Sequence, residues 1–279
     1  MQEIVRGLKL KNKTIGFVPT MGALHEGHLS LIRKARKEND FVVLSIFVNP
    51  IQFGPTEDFS RYPRPMKQDI HLCRKHNVDF LFYPGAKLMY PLGFKTYVVV
   101  EQLSDVLCGT ARCGHFRGVA TVVAKLFNIL QPDRAYFGRK DAQQAIIIQK
   151  MVEDLNMPIR IRVMPIVRHR NGLALSSRNI YLNEKERQEA LCLPQALKFA
   201  KDLIKSGERS SQCIIKKIGE FIGSKKTARI EYISIVDLKN LKPLEKIADK
   251  CLIALAVRIG KTRLIDNIVV KVTKSQSHQ

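Results

Sequence analysis

The chain has 279 residues, of which 45% are hydrophobic and 26% are charged. This length allows one large or two modest domains, and this composition excludes a wholly disordered chain. No apolar run reaches the roughly 20 residues of a membrane-spanning helix, and the initial MQEIVRGLKLKNK contains no apolar segment typical of a signal peptide. We therefore expect a soluble, cytoplasmic protein.

The chain is strongly basic, with a formal net charge of +22. One hypothesis is therefore an RNA-binding protein. The excess is spread along the chain, with 25 basic against 14 acidic residues in 1–168 and 22 against 11 in 169–279. A diffuse basic surface attracts small anions. Because Trp is absent and aromatic residues make up only 7%, platforms for stacking bases are scarce, and we expect no nucleic-acid partner.

The six cysteines contain no C-x-x-C pair. Cys108, Cys113 and His115 lack a fourth ligand at a zinc-like spacing. We therefore expect reduced thiols, as in a reducing compartment.

Residues 1–168 alternate between strand-like and helix-like segments. The predicted strands are Thr14–Val18, Phe41–Val48, Val78–Tyr83, Tyr97–Val100, Arg134–Phe137 and Ile159–Val167. The predicted helices are Gly27–Lys37, Met66–His76, Arg117–Leu130 and Ala142–Leu155. Nearly unbroken apolar runs such as FVVLSIFV are typical of parallel strands covered on both faces. The alternation predicts an α/β domain with a Rossmann-like, doubly wound parallel sheet.

Residues 169–279 have a different pattern. Two helices are predicted at Asn183–Lys205 and Ser211–Gly223, followed by strands at Arg229–Val236, Cys251–Arg258 and Leu264–Lys271. This order predicts a smaller α+β C-terminal domain joined to the first near His169.

The segment PTMGALHEGH follows the first predicted strand directly and opens the first helix. Ligands of open α/β sheets bind beyond the carboxyl ends of strands, and a helix N-terminus there favours phosphate. His25 and His28 are three residues apart and share one side of the turn, while Gly27 leaves the backbone between them open. Two incidental histidines are the alternative; the glycine and the strand-to-helix placement favour phosphate chemistry.

This H-x-G-H pattern resembles the nucleotidylyl-transferase and class I aminoacyl-tRNA synthetase superfamily, whose members attack the α-phosphate of a nucleotide. Four longer stretches resemble one family within it, pantothenate synthetase (pantoate–β-alanine ligase), and they occur in family order. They are VPTMGALHEGHLSLI, SIFVNPIQFGPTEDFSRYPR, GHFRGVATVVAKLFNILQPDRAYFGRKDAQQ and GLALSSRNIYL. Another H-x-G-H adenylyl- or cytidylyltransferase is the alternative within the superfamily.

The resemblance implies a ligase that condenses (R)-pantoate with β-alanine at the expense of ATP. The expected intermediate is pantoyl adenylate, the products are pantothenate, AMP and pyrophosphate, and Mg²⁺ accompanies ATP. It also implies a homodimer. The C-terminal domain is expected to act as a lid that excludes water.

Site residues follow from the same motifs. The implied ATP-binding residues are Met21, Gly22, Ala23, Leu24, His25, Glu26, Gly27, His28, Gly138, Arg139, Lys140, Asp141, Val167, Leu175, Ser176, Ser177 and Arg178. The residues expected to be catalytic are His28, His25, Lys140 and Arg178, with His28 as the main donor. Gln52 and Gln144 are implied to bind pantoate, and Gln52 also β-alanine; an amide can both donate to a carboxylate and accept from a hydroxyl.

Several neighbouring residues have open interpretations. Asp141 could instead cap the following helix, and Arg117 is expected to have a structural or interface role. No metal ligand is identified. Either Asp58 or Asp69 could help to position magnesium, but we favour solvated loop carboxylates for both.

Two departures from the family pattern are a cysteine at Cys113 in place of a proline and Asn171-Gly172 in place of Asp-Gly. Asn-Gly supports the same turn, so we expect that turn to form.

Overall fold

The computed structural model describes residues 1–55 and 57–272. The chain divides into two compact units. The first comprises Met1–Val167 together with Leu175–Ser177, and the second comprises Arg168–Ala174 and the chain from Arg178 onward. The backbone therefore passes from the first unit to the second, returns for three residues, and leaves again.

The first unit is built on a five-stranded parallel sheet. Its strands are β1 (Ile15–Thr20), β2 (Phe41–Ile46), β3 (Phe80–Phe82), β4 (Arg134–Gly138) and β5 (Arg160–Met164). Its helices are α1 (Gln2–Leu10), α2 (Glu26–Glu38), α3 (Met66–Lys75), α4 (Ala86–Met89), α5 (Cys108–Ala111), α6 (His115–Leu130) and α7 (Ala142–Asp154), with 3-10 turns at Pro50–Gln52 and Arg139–Asp141.

The strand order is β3-β2-β1-β4-β5. Consecutive strands β1, β2 and β3 extend the sheet in one direction, and β4 and β5 extend it from β1 in the other. The order therefore reverses between β1 and β4, and this switch point is where a doubly wound sheet opens a crevice for ligands. The predicted Rossmann-like fold class is confirmed.

The core of the first unit explains why these segments fold as they do. Val18, Leu44 and Tyr136 come from three adjacent strands and pack against Ile32 and Ala35 of α2. Burial of both faces of the sheet accounts for the continuous apolar runs that mark β1 and β2 in the sequence.

The second unit contains α8 (Glu184–Glu189), α9 (Cys192–Lys205), α10 (Ser211–Gly223), β6 (Ala228–Val236), β7 (Lys250–Ile259) and β8 (Thr262–Lys271), with a 3-10 turn at Ser177–Tyr181 leading into it. The strands form an antiparallel sheet in the order β6-β7-β8. Ile214 and Ile218 of α10 and Leu197 of α9 are buried with Ile253 and Leu255 of β7. This is the predicted α+β arrangement.

Three local predictions are corrected. Tyr97–Val100 is not a strand, because the N–H of Val98 donates to Thr121 Oγ1 on α6 instead of to a neighbouring strand. The predicted helix Asn183–Lys205 is two helices, since Pro194 has no N–H to donate to the carbonyl of Ala190. Helix α1 lies before Thr14, where the sequence pattern predicts no element.

The Asn171-Gly172 turn forms as expected, with the N–H of Gly172 donating to His169 O at 2.9 Å. Within the described residues, which include all six cysteines, no disulfide is formed. No helix in the described part of the chain is long and apolar enough to cross a membrane.

Candidate active site

The predicted ATP segment lies at the switch point of the sheet. Strand β1 ends at Thr20, and α2 begins at Glu26 with His25 as its N-cap residue. The neighbouring strand β4 ends at Gly138 and leads into the turn Arg139–Asp141. Because β1 and β4 are parallel neighbours, both connections emerge at the same edge of the sheet. The structure therefore brings the H-x-G-H motif and Lys140 together.

The two motif histidines are held by the backbone of the turn. Nδ1 of His25 accepts the N–H of Gly27 at 3.2 Å, and Nδ1 of His28 accepts the N–H of His25 at 3.4 Å. Their ring centroids are 4.1 Å apart with planes inclined by 33°. An imidazole that accepts at Nδ1 carries its hydrogen at Nε2 when neutral. Both rings therefore present an Nε2–H donor beside the start of α2.

The charge state of His28 supports this assignment. Burial, reinforced by the neighbouring His25, lowers the pKa of His28 from 6.5 to about 3; the nearby Asp141 opposes this effect and Lys140 adds to it. His28 is therefore a neutral hydrogen-bond donor at physiological pH. That state suits donation to phosphate oxygens and does not need a buried positive charge.

Gly27 is sterically required by this arrangement. A Cβ at that position would lie 2.8 Å from Cε1 of His25 and 4.0 Å from Cβ of Leu175. The absence of a side chain thus serves the packing of His25, in addition to the open backbone that the spacing suggested.

Lys140 and Asp141 form a half-buried ion pair, with 3.3 Å between Nζ and Oδ1. Asp141 occupies the N-cap position of α7 but makes no capping hydrogen bond with its side chain. The interpretation of Asp141 as a helix cap is therefore confirmed for its position but not for a side-chain hydrogen bond. Gly138 and Arg139 lie in the same connection, and Arg139 is exposed.

The segment Leu175–Ser177 belongs to the first unit. The N–H of Leu175 donates to Val167 O at 3.0 Å, and Ser177 Oγ lies 3.0 Å from the hydroxyl of Tyr62. Leu175 also packs against Gly27, as described above. Leu175 thus lies beside the H-x-G-H turn, Val167 is bonded to Leu175, and Ser177 contacts Tyr62. Arg178 is part of the second unit.

Gln52 is buried and its amide is oriented by its neighbours. Asn49 Nδ2 donates to Gln52 Oε1 at 3.0 Å and to Gly118 O at 3.1 Å, while Tyr90 donates its hydroxyl hydrogen to Asn49 Oδ1 at 2.8 Å. Gln52 Nε2 lies 3.1 Å from the sulfur of Met21, a residue of the predicted ATP segment. The predicted pantoate amide thus adjoins that segment.

Helix α7 carries two consecutive glutamines with different environments. Gln143 is buried and donates to Leu103 O and Val106 O at 2.9 and 2.7 Å, so it holds the segment that precedes α5. Gln144, the residue predicted to bind pantoate, is half-buried. The structure supports a packing role for Gln143, while the role of Gln144 stays a prediction.

A charged network braces the turn that carries Gln52. Arg112 donates from Nε and Nη2 to the two carboxylate oxygens of Glu57, at 2.5 and 2.6 Å. Burial raises the pKa of Glu57, but the hydrogen bonds from Arg112 hold that pKa below its ordinary value. His115 Nδ1 lies 2.8 Å from Gln52 O, and its Nε2 lies 2.8 Å from Arg112 Nη1. Arg117 stacks on Tyr97 at 3.7 Å, consistent with its predicted structural role.

The sequence interpretation of Asp69 as a solvated loop carboxylate is wrong. Asp69 lies on α3, is 1% exposed, and accepts the N–H groups of Ala23 and Leu24 at 2.9 and 2.8 Å. Burial raises the pKa of Asp69, and these two bonds partly offset that effect. A signal was present, because Asp69 lies four residues before the buried Cys73 on one helix face.

The described residues contain no group of three or more His, Cys, Asp or Glu side chains that could hold a metal ion. Mg²⁺ commonly binds through substrate phosphates and one or two carboxylates rather than a protein cage. The site is therefore compatible with a metal that arrives with a nucleotide. Asp58 is half-buried in the loop after Gln52.

Comparisons with known proteins agree with this geometry. A family model described as pantoate-beta-alanine ligase matches residues 1–269. The pantothenate synthetases of Caldicellulosiruptor saccharolyticus and Moorella thermoacetica are 56% and 55% identical over 272 residues, which is 98% of this chain and 97% and 96% of theirs.

The chain belongs to the pantoate–β-alanine ligase family. It is therefore an enzyme of the ligase class. Among solved structures, the pantothenate synthetase of Thermus thermophilus has a TM-score of 0.90 and 44% identity, covering 97% of this chain and 98% of that one. The pantoate-beta-alanine ligase of Francisella tularensis, complexed with beta-gamma ATP and beta-alanine, has a TM-score of 0.78 and 38% identity over 96% and 94% of the two chains.

Proposed function

We propose that this ligase condenses (R)-pantoate with β-alanine in two steps, with ATP as the energy source and pantoyl adenylate as the intermediate. The observation that carries the proposal is the pair of imidazoles at the switch point, which both accept a backbone N–H at Nδ1 and present Nε2–H donors at the start of α2. The beta-gamma ATP and beta-alanine in the complex of the Francisella relative support the choice of substrates.

In the first step, a carboxylate oxygen of pantoate attacks the α-phosphorus of ATP, and the bond from that phosphorus to the bridging oxygen breaks. Negative charge develops on the departing pyrophosphate. His25 and His28 are suited to donate hydrogen bonds to phosphate oxygens, and Lys140 and Arg178 to supply positive charge. No protein nucleophile is required, because the chemistry depends on alignment and charge stabilisation.

ATP contacts are proposed along the two connections and the returning segment. They comprise Met21–His28, Gly138–Asp141, Val167 and Leu175–Arg178. Mg²⁺ enters as part of the substrate, bound to ATP phosphates, where it neutralises charge on their oxygens.

In the second step, the amine of β-alanine attacks the acyl carbon of pantoyl adenylate. The amide bond forms, AMP leaves with the electrons of the acyl–oxygen bond, and the nitrogen loses a proton. Gln52 is proposed to bind pantoate and to contact β-alanine, and Gln144 to bind pantoate. The orientation of the Gln52 amide by Asn49 supports this assignment.

Oxygen-18 transfer tests the two-step route. Pantoate labelled with oxygen-18 in its carboxylate should pass one labelled oxygen to AMP when β-alanine and ATP are present. Pyrophosphate should also exchange into ATP with pantoate alone. Unlabelled AMP, or exchange that requires β-alanine, would contradict the adenylate route.

We also propose that the second unit excludes water from the intermediate. The segment Leu175–Ser177, which is proposed to contact ATP, is joined to the second unit at both of its ends. AMP release without β-alanine should then be much slower than with it. Equal rates would contradict this role.

A homodimer in the cytoplasm completes the proposal. The dimer rests on family resemblance, and light scattering should give twice the 31.8 kDa of the chain. Six cysteines without disulfides support a reducing compartment.

A further inference from the structure

The turn between β1 and α2 has an unusual backbone. Gly22 and Ala23 both have positive φ values, +82° and +49°. A non-glycine residue in this region is disfavoured, and the N–H groups of Ala23 and Leu24 fall between the last strand residue and the first helical turn. The turn therefore needs a partner that holds this conformation and satisfies these donors.

Asp69 is that partner. Its Oδ2 accepts the N–H of Ala23 at 2.9 Å and its Oδ1 accepts that of Leu24 at 2.8 Å, from a position on α3 that is 1% exposed. A Cβ on Gly22 would lie 3.0 Å from Asp69 Oδ2, so the carboxylate and the turn fit closely. Thr20 completes the support by accepting the N–H of Gly22 at 3.1 Å through Oγ1.

The orientation of the histidine pair depends on this turn. His25 directly follows Leu24, and its backbone N–H donates to Nδ1 of His28. A rotation of the Ala23 or Leu24 peptide would move that N–H and release the ring of His28. Small displacements of aligned groups cost catalysis heavily.

We infer that Asp69 is a positioning residue for adenylate formation. Its carboxylate fixes the Gly22–Leu24 turn and thereby orients the Nε2–H donors of His25 and His28. It acts through the backbone and does not contact the substrate. The inference rests on the proposed function of the histidine pair, and it gives a buried carboxylate a role other than metal binding.

Asp133 provides a matched control, because its carboxylate holds the backbone at the start of β1, whereas Asp69 holds the turn that follows the end of β1. Asp133 Oδ2 accepts the N–H of Ile15 at 2.6 Å and pairs with Lys9. Both aspartates thus hold backbone next to β1, but only Asp69 holds the connection that leads to the histidines. Asp133→Asn should weaken folding without changing catalysis.

The experiment compares Asp69→Asn, Asp69→Ala and Asp133→Asn by amide hydrogen exchange, by pantoate-dependent exchange of pyrophosphate into ATP, and by thermal denaturation. In Asp69→Asn, the amide hydrogens of Ala23 and Leu24 should exchange about tenfold faster than in the wild type, because a tenfold change corresponds to the free energy of about one hydrogen bond. Adenylate formation should fall about 10- to 100-fold. Adenylate formation should fall further in Asp69→Ala than in Asp69→Asn, because the Asn side chain retains one acceptor oxygen.

A second variant, Gly22→Ala, perturbs the turn itself and leaves the Asp69 carboxylate unchanged. Gly22→Ala introduces a methyl group against Asp69 in a backbone with positive φ, so it should reproduce the faster exchange of the Ala23 and Leu24 amides together with the loss of adenylate formation. Agreement between the two variants would support the turn as the cause even if Asp69→Ala fails to fold.

Three results would overturn the inference. The first is wild-type amide exchange and adenylate formation in Asp69→Asn. The second is an equal catalytic loss in Asp133→Asn. The third is restoration of Asp69→Asn by added Mg²⁺, which would make Asp69 a metal ligand. If the wild type itself shows no pantoate-dependent exchange, the proposed function fails, while amide exchange still decides whether Asp69 holds the turn.

Discussion

His25 and His28 are joined through the backbone of a single turn, because Nδ1 of His28 accepts the N–H of His25 while Nδ1 of His25 accepts the N–H of Gly27. Each bond selects the tautomer with hydrogen on Nε2. The start of α2 therefore offers two Nε2–H donors whose direction is set before any ligand arrives, and such preorganisation favours electrostatic stabilisation of a developing anion.

We predict that His28 remains neutral from pH 8 down to about pH 4. Its pKa is lowered from 6.5 to about 3, chiefly by burial. The unfolded chain then binds a proton between pH 6.5 and 3 that the folded chain does not bind. The contribution of His28 to the free energy of unfolding is therefore complete above pH 6.5 and declines as the pH falls through this window.

Nitrogen-15 NMR of the imidazoles measures this directly. His28 should show the Nε2–H tautomer and no titration near pH 6.5. Assignment comes from the resonance lost in His28→Ala. A His28 ring that titrates at an ordinary pKa would contradict the neutral-donor assignment.

Replacement of Lys140 by alanine should slow adenylate formation about 10²- to 10³-fold, the range for loss of a charge-stabilising donor. Lys150→Ala is the matched control, because that lysine lies on α7 and pairs with Asp154 at the surface. Single-turnover measurement of pyrophosphate release separates the chemical step from product release. A near-normal rate in Lys140→Ala would show that the ammonium has no part in the first step.

The fold was predictable from the sequence where a segment is strongly apolar and where a motif is placed between a strand and a helix. Strand β2 and the His25 N-terminus of α2 are examples. Tyr97–Val100 shows the limit, because a short β-branched run predicts a strand only if another strand is available to pair with it. Here the N–H of Val98 donates a hydrogen bond to Thr121 Oγ1 on α6 instead.

The contacts that orient the site could not be predicted in the same way. Asp69 is 46 residues from Ala23, and its helical spacing shows only that it shares a face with Cys73. Which loop meets that face depends on the packing of α3 against the sheet. The same holds for Asn49 and Gly118, 69 residues apart.

Loss of the Asn49 amide should weaken pantoate binding. Asn49 is 1% exposed and orients Gln52 through Nδ2 while it accepts from Tyr90. Asn49→Ala would leave the Gln52 amide unpaired on that side, and we expect the Kd for pantoate to rise about tenfold, the value of one or two hydrogen bonds. Isothermal titration of pantoate with a non-hydrolysable ATP analogue measures the change.

Gln52→Ala is the companion variant, since Asn49 is expected to act through Gln52. The double variant Asn49→Ala/Gln52→Ala should bind pantoate no more weakly than Gln52→Ala alone. Additive losses would mean that Asn49 affects pantoate by a separate route.

The stability of the second unit should depend on the ion pair between the partly exposed Arg168 and the buried Asp266. Arg168 donates from Nη1 and Nη2 to the two oxygens of Asp266, at 2.6 and 2.9 Å, and Asp266 is 2% exposed. Arg168 Nη1 also donates to Gly172 O at 3.0 Å, so the pair holds the Asn171-Gly172 turn to β8. Removal of the carboxylate would leave a guanidinium without its principal partner.

We expect Asp266→Ala to lower the free energy of unfolding by about 2–3 kcal/mol, below the range for a fully buried pair because the Arg168 side chain is 30% exposed. Asp154→Ala, which removes a surface pair with Lys150, should lower it much less, because exposed ion pairs are screened by solvent. Urea denaturation followed by circular dichroism compares the two variants. Equal and small losses would show that the pair contributes no more than surface charges do.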